Sequence, residues 1–542
     1  MSLNYFKKVY YKPIDKYSTN KQRKYNMSSF IENIKNELNS TKTTTENGAV
    51  AYETTGKALL DINFAISTLR NATTNEIEDK FSKAFFENPT LAVVWLFFAR
   101  DVRGGVGERR LFRVCLNWLA NNKPGVVKMI VSLIPEYGRW DDMFELAESS
   151  NGDISKCVMD IICDQFIEDA EAIGNGKQNI SLLAKWMPSI NTSSPKTCAL
   201  GKKFARFLGM SDAQYRKTLS KLRKHLDVVE VKASANEWNT IKYEAVPSKA
   251  NIKYKAAFIK HDAARRQEFL NKLEKGEAKI NSAASFPCDI VHSYFGNYRY
   301  WGLDLETYDK ALEGMWKNLP DYVKDVDNKN TIVVCDGSGS MTTHIGDSNM
   351  SALEVAWSLS IYFAERMTES PFKDKFITFS SRPRLVDMSN AKTLHDRLEI
   401  ISHYNECSNT NLEATMDLIL NTAIKNKTPQ KDIPNILILS DMNFDSMVDC
   451  GRNGAKTLME NIEAKWNKAG YRLPRITYWN IIGGCGRQAP VPVQKSEAGI
   501  ALVSGFSPAI ASMVYSSKTD PYEVLVEKLE SPRYASVFKA LN

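Results

Sequence analysis

From residue 331 onward the chain alternates short β-type runs with helical stretches, and this alternation narrows its fold more than any other feature. Thr331–Cys335, Lys375–Phe379, Asn435–Leu439, Arg475–Asn480 and Ile500–Ser504 are short and mostly apolar. Between them, Ser351–Arg366, Asn411–Lys425 and Gly454–Lys468 carry apolar residues at three- and four-residue spacings. Strands alternating with crossover helices close most readily as a doubly wound parallel sheet. The expectation for residues 331–515 is therefore a Rossmann-like α/β domain.

Upstream the period changes. Leu91–Asp101, Glu108–Ala120, Pro124–Leu133, Asp141–Ala147, Ser155–Ile173, Asp212–Leu226, Lys249–Ala264, Arg265–Glu277 and Leu305–Trp316 read as helices, and strand signals are nearly absent. An all-helical repeat (HEAT-like) ring or arc over residues 46–325 fits this series, although no repeat aligns by eye. Residues 1–45 read as a polar arm with a short helix at Ser28–Leu38, and Asp321–Asn330 as a polar linker. Residues 516–542, with the helix Pro521–Leu529, are expected to dock back on the helical part. The fold class is thus α plus α/β, and 542 residues exceed what one core of about 250–300 residues serves.

No apolar run approaches the roughly 20 residues of a membrane span, and the first thirty residues lack a secretory h-region. A cytoplasmic protein without membrane contact is expected, in the host cytoplasm if the chain is viral. Nine cysteines without a C-x-x-C pair read as reduced thiols. Six histidines form no paired metal motif, and no Ser or Cys stands in a nucleophile elbow, so the chain is not expected to be an enzyme.

The sharpest local pattern follows the first strand. Thr331-Ile-Val-Val-Cys335 runs straight into Asp336-Gly-Ser-Gly-Ser340, where Gly337 and Gly339 let Asp336, Ser338 and Ser340 turn toward one point. That loop lies at the carboxyl edge of the sheet, where open α/β folds place ligands. Thr410, at a helix start, and Asp441, directly after a later strand, supply two further oxygens. An oxygen-only set suits Mg²⁺, or Mn²⁺, with positions left open for water or another oxygen. Asp-x-Ser-x-Ser with a later Thr and a later Asp resembles the metal-ion-dependent adhesion site of von Willebrand factor A (vWA) domains, complete at all five positions. The resemblance covers about residues 331–515 and implies that a partner protein's carboxylate can reach the cation.

A helical part followed by a vWA domain also resembles the Ro autoantigen (TROVE) proteins. Nearer still is the resemblance to a sister family with members in cellular genomes and large DNA viruses. It is carried by Thr45-Glu-Asn-Gly-Ala49, the stretch from Arg100 to Arg113, Pro135-Glu-Tyr-Gly-Arg-Trp-Asp-Asp142, Leu222-Arg-Lys-His-Leu-Asp227, Val246-Pro-Ser-Lys249 and Val503-Ser-Gly-Phe-Ser-Pro508. The Ro resemblance implies a helical ring closed by the vWA domain, with structured or 3′-ended RNA as partner. No Ro RNA-contacting residue maps onto this chain one by one.

Charge points in the same direction. The chain carries +8 overall, but Gly201–Ile280 alone holds 19 Lys/Arg against 9 Asp/Glu. A polyanion partner is expected there. The candidate RNA-contacting residues are Arg103, Arg109, Arg110, Lys202, Lys203, Arg206, Arg216, Lys217, Lys221, Arg223, Lys224, Lys253 and Lys255. Interleaved Phe204, Phe207, Tyr215, Tyr254 and Phe258 suit either stacked bases or a helix core face. The glycines at 104, 105 and 107 read as a turn or as a phosphate contact, and the Gly-Lys-Ser/Thr ending of a P-loop is missing. Arg139, Asp141 and Asp142 read as a small acid/base site or as a capped helix start.

The sequence thus predicts a non-enzymatic RNA-binding protein bearing a divalent cation. The alternatives are a protein-interaction adaptor working through the cation, and a virus-particle component.

Overall fold

A computed structural model describes residues 42–295, 305–324, 330–346, 348–379, 382–404, 409–445, 457–482, 491–492 and 499–542. The helix expected at Ser28–Leu38 lies outside them. Residues 44–542 form one unit.

Six strands make one sheet in the order Arg384–Asp387, Lys375–Phe379, Thr331–Asp336, Asn435–Ser440, Ile476–Asn480 and Ile500–Ser504. All neighbours run parallel except Arg384–Asp387, which is antiparallel to Lys375–Phe379. The inner strands are almost wholly buried, as their unbroken apolar runs require of a sheet covered on both faces. The sequence reading missed Arg384–Asp387: it is four residues long, and only Val386 is buried. After Thr331–Asp336 the chain winds toward one edge, then crosses back to Asn435–Ser440 on the other side. The crevice beyond the carboxyl ends of these two strands is therefore the topological switch point.

Pro89–Arg100 is the central helix of the helical part. Its sequence is apolar all round, and every residue from Leu91 to Arg100 is buried. Asn88 caps it, accepting from the Leu91 N–H at 3.0 Å, with Pro89 at the first position. Around it pack Thr74–Glu87, Arg109–Asn122, Pro521–Leu529 and Ala535–Leu541. From there contacts pass through Pro124–Ile130 to Gly152–Gly174, and on to Pro195–Phe207 and Asp212–His225. At the far end Lys255–Glu274 packs on Lys310–Lys317, which meets Pro287–His292.

Both ends of this helical path rest on the sheet domain. Ala58–Phe64 contacts the strand Ile500–Ser504, and Pro287–His292 contacts the helix Ala352–Arg366. The turn after the central helix also meets the segment leading into Pro287–His292, since a Cβ at Gly107 would come within 2.7 Å of the Phe286 ring.

Two expectations need correction. Residues 321–324 are not a polar linker: Val323 is fully buried, the Tyr322 N–H donates to Tyr362 Oη at 3.0 Å, and Tyr322 Oη donates to the Arg103 carbonyl at 3.0 Å. The remainder, 325–329, lies outside the described residues. The helix break expected after Ala264 sits two residues earlier, at the non-helical Asp262 (φ −148°, ψ 44°) within Lys255–Glu274, and a second break separates that span from Ser248–Lys253 at Tyr254. There the Asp262 carboxylate accepts from Tyr243 Oη at 2.8 Å and from Arg265 at 2.9 Å, fixing the bend.

Candidate metal centre

Parallel register between Thr331–Asp336 and Asn435–Ser440 sets Cys335 opposite Leu439, so Asp336 and Ser440 end their strands side by side. Ser440 Oγ donates to Asp336 Oδ2 at 2.5 Å, and the Ser338 N–H donates to Asp336 Oδ1 at 2.9 Å. The Ser338 and Ser340 hydroxyls are 3.0 Å apart. Ser340 lies near enough to Asp441 for its hydroxyl to hold that carboxyl's pKa down against burial. Four of the five expected residues thus converge on the switch-point crevice.

Thr410 arrives from another loop. Its carbonyl accepts the Asp445 N–H at 3.0 Å, stitching that loop to the one after Asp441. Its hydroxyl is buried with no hydrogen-bond partner among the described residues.

The two carboxylates share a desolvated site. Asp336 and Asp441 are fully buried, and burial raises both carboxyl pKa values, Asp441's charge adding to the rise at Asp336. Hydroxyl and amide donors oppose the rise; among the described residues neither carboxylate has an ion-pair partner. Two desolvated carboxylates, paired serine hydroxyls and an unpartnered threonine hydroxyl form a hard, oxygen-only donor set that fits Mg²⁺ or Mn²⁺. Among the described residues no three Asp, Glu, His or Cys side chains cluster.

Sequence reasoning missed three side chains here. Ser440 holds Asp336. Asn443 donates to Asp441 through its N–H at 3.1 Å and through Nδ2 at 3.3 Å, while its Oδ1 is buried without a partner among the described residues. Met442 between them takes a left-handed φ of 65°, a strained turn for a residue with a Cβ. Asn47, from the stretch Thr45–Ala49, donates through Nδ2 to the Asn443 carbonyl at 2.7 Å. A Ser-Asp-Met-Asn run after a strand could have suggested Ser440 and Asn443. Nothing local signals Asn47.

The basic candidates divide. Arg110 donates to the carbonyls of Leu69, Arg70 and Ala72, and Arg223 to Ala184 O, Met187 O and Ser189 Oγ. Lys203 reaches Ala147 O, Lys255 pairs with Asp309, and Arg109 pairs with Asp141. These five side chains have partners within the protein, so their charge is committed to its own oxygens. Lys253 lies over the Tyr254 ring. Arg103, Lys202, Arg206, Arg216, Lys217, Lys221 and Lys224 are exposed. Arg216, Lys217, Arg223 and Lys224 line a cleft of about 590 Å³. Phe204, Tyr215 and Phe258 are buried in the core, which removes them as base-stacking platforms.

The glycine turn offers few donors for a phosphate. Its N–H groups go to Asp101 O, Phe98 O and Ala99 O from Gly105, Val106 and Glu108, at 3.1, 3.1 and 2.7 Å. A Cβ at Gly105 would sit 2.0 Å from the Phe98 carbonyl oxygen. Asp141 and Asp142 receive Arg100, Arg109 and Arg113, a structural ion network rather than an acid/base pair.

No described helix is long and apolar enough to cross a membrane. Residues 330–531 match a family model described as "Domain of unknown function (DUF7788)". Over 520 residues, 90% of this chain and 87% of the other, the sequence is 28% identical to an uncharacterized protein of Acanthamoeba polyphaga mimivirus. Among solved structures it is similar to the Deinococcus radiodurans RO (RSR) protein, with TM-score 0.41 and 12% identity over 86% of this chain and 94% of that one. Residues 45–146 and 153–331, more than half of the chain, match the family model described as "Domain of unknown function (DUF2828)", and the chain belongs to that family.

Proposed function

We propose that this chain is a non-enzymatic, cytoplasmic RNA-binding protein that takes the phosphates of single-stranded or 3′-tailed RNA along the basic face of its helical part and holds one Mg²⁺ or Mn²⁺ at the carboxyl edge of its vWA-type sheet. The observation that carries the RNA reading is the cleft that presents exposed Arg216, Lys217 and Lys224. No acidic residue is among the ten that line it, so its positive potential is not neutralised from within. The resemblance to Ro proteins implies the same class of partner.

At the sheet edge, Asp336, Ser338, Ser340, Thr410 and Asp441 would hold the cation. A bound ion there supplies a hard Lewis-acid position for an oxygen ligand. Ser440 and Asn443 orient the two carboxylates.

Filter binding of a 3′-tailed single strand across a salt series tests the RNA reading. Log affinity should fall linearly with log salt, at roughly 0.7 per phosphate contact. No RNA retained at low salt overturns it and leaves the adaptor reading, in which a partner protein's carboxylate meets the cation.

A further inference from the structure

The basic cleft is lined by more than charge. Part of its wall is the loop that carries Ser189, Ile190 and Asn191, and the helix Asp212–His225 holds that loop in place. Tyr215 Oη donates to the Pro188 carbonyl at 2.9 Å, and Arg223 donates to Met187 O at 2.6 Å and to Ser189 Oγ at 2.8 Å. The loop also rests closely on the helix Pro195–Phe207: a Cβ at Gly201 would sit 3.0 Å from the Pro188 carbonyl oxygen and 3.2 Å from the Ile190 side chain. The wall is therefore fixed before any ligand arrives.

Two kinds of surface meet in the cleft. Ile190, Leu219 and Val231 supply an apolar lining, and Ile190 and Val231 are only half-buried. Arg216, Lys217 and Lys224 supply exposed cations. The side chains of Asn191 and Ser220 are exposed too, and among the described residues they have no hydrogen-bond partner. A phosphate engages only the cations, whereas a base brings a flat apolar face and polar edges that match the rest of the lining. The cleft's volume of about 590 Å³ lies within the roughly 300–1,000 Å³ of small-ligand sites, so a nucleotide can enter it.

We propose that this cleft seats one unpaired base of the RNA, with its face on Ile190, Leu219 and Val231, its edge at Asn191, and its phosphate at Arg216, Lys217 and Lys224. A base inside a duplex is already paired and stacked, so only a single strand fills the seat. Phosphate contacts alone carry no such discrimination. The inference rests on the RNA reading and adds to it the side chains that tell a single strand from a duplex.

Fluorescence anisotropy of the full-length protein with a short labelled single-stranded RNA, set against the same strand built from abasic residues, tests this. Both strands carry the same phosphates. Burying roughly 60 Å² of a base's apolar surface should make the wild type bind the base-bearing strand about ten-fold more tightly. Asn191→Ala combined with Val231→Ala should cut that preference to about three-fold or less, while affinity for the abasic strand stays within about two-fold and reports an intact fold. Equal wild-type affinity for the two strands, a preference that survives the double variant, or equal weakening on both strands overturns the base seat and leaves the phosphate contacts standing. Binding of neither strand by the wild type at low salt overturns the RNA reading and the seat together.

Discussion

Arg533 Nε donates to the Asp101 carboxylate at 2.8 Å, joining the end of the chain to the turn after the central helix of the helical part. Asp101 is fully buried, and the Arg103 N–H also donates to it at 3.0 Å. Around the pair, Tyr534 stacks on Tyr137 with ring centroids 5.7 Å apart, and Tyr137 Oη donates to the Arg533 carbonyl at 2.8 Å. Gly104 completes the seat, since a Cβ there would lie 3.0 Å from Asp101 Oδ2. The C-terminal segment is thus part of the helical core.

Removing Arg533 strands a buried carboxylate, which is worse than never having had the pair. Arg533→Ala should cost about 2 kcal/mol, below the figure for a fully buried pair because the arginine is about a third exposed. The double variant Asp101→Asn with Arg533→Ala should recover part of that loss. Urea denaturation of the single and double variants measures the coupling, and strict additivity would sink the clamp.

His292 couples the other end of the helical path to the helix Ala352–Arg366 of the sheet domain. Its Nδ1 lies 2.7 Å from the Glu354 carboxylate, a buried group that also caps the helix Ala352–Arg366 through Ser351. The hydrogen bond His292 donates to Glu354 raises its pKa above the ordinary 6.5, with burial opposing and the Glu354 and Asp289 charges adding to the rise. A raised histidine pKa means the folded state binds the proton more tightly. The stabilisation is therefore fully present below about pH 6.5 and is lost as pH climbs through the folded-state value. Against His292→Gln, the wild type should show extra stability at pH 6 that shrinks by pH 8.5, on the order of 0.5–1 kcal/mol given its partial exposure. Melting curves of both proteins across that range check the sign.

Local chemistry was legible in the sequence, and tertiary delivery was not. Asp336, Ser338 and Ser340 sit on one loop after an unmistakable strand, and Asp441 follows another, so their convergence could be read from the alternation alone. Asn47 reaches the neighbouring loop only because Thr45–Ala49 docks on residues 443–445. The basic residues show the opposite failure. Arg110 and Arg223 look like surface charge in a pattern, yet their guanidinium groups are used by backbone carbonyls that a one-dimensional reading cannot place. Arg384–Asp387 escaped because an edge strand with a single buried side chain has no period to detect.

The cation reading makes a prediction with opposite signs in two buffers. Without metal, Asp336 and Asp441 repel each other in a desolvated site, so Asp336→Asn should hold or raise the melting temperature. With Mg²⁺ or Mn²⁺ well above its dissociation constant, wild type gains ligand-linked stability of about 2.7 kcal/mol at a hundred-fold excess, and the variant should gain almost none. Thermal melts with and without metal give the comparison. Equal metal-induced shifts in the two proteins would count against Asp336 as a ligand.

RNA binding is best probed with side chains whose only work is at the surface. Arg223 is the wrong choice: it donates to Ala184 O at 2.9 Å, Met187 O at 2.6 Å and Ser189 Oγ at 2.8 Å, so reversing its charge would break the helix packing it holds. Arg216, Lys217 and Lys224 are exposed on the same cleft, and the Arg216 guanidinium makes only a long hydrogen bond, 3.4 Å to the carbonyl of Asp212 on its own helix. Changing these three to Glu should leave the fold intact and weaken RNA binding across sequences alike. If each meets one phosphate, the slope of log affinity against log salt should flatten by about 2, at roughly 0.7 per contact on a single strand. Asp336→Ala should leave that slope unchanged if cation and RNA occupy separate sites. A triple variant that binds with wild-type affinity and an unchanged slope would move the RNA away from this cleft, with exposed Lys202, Arg206 and Lys221 as the next side chains to reverse.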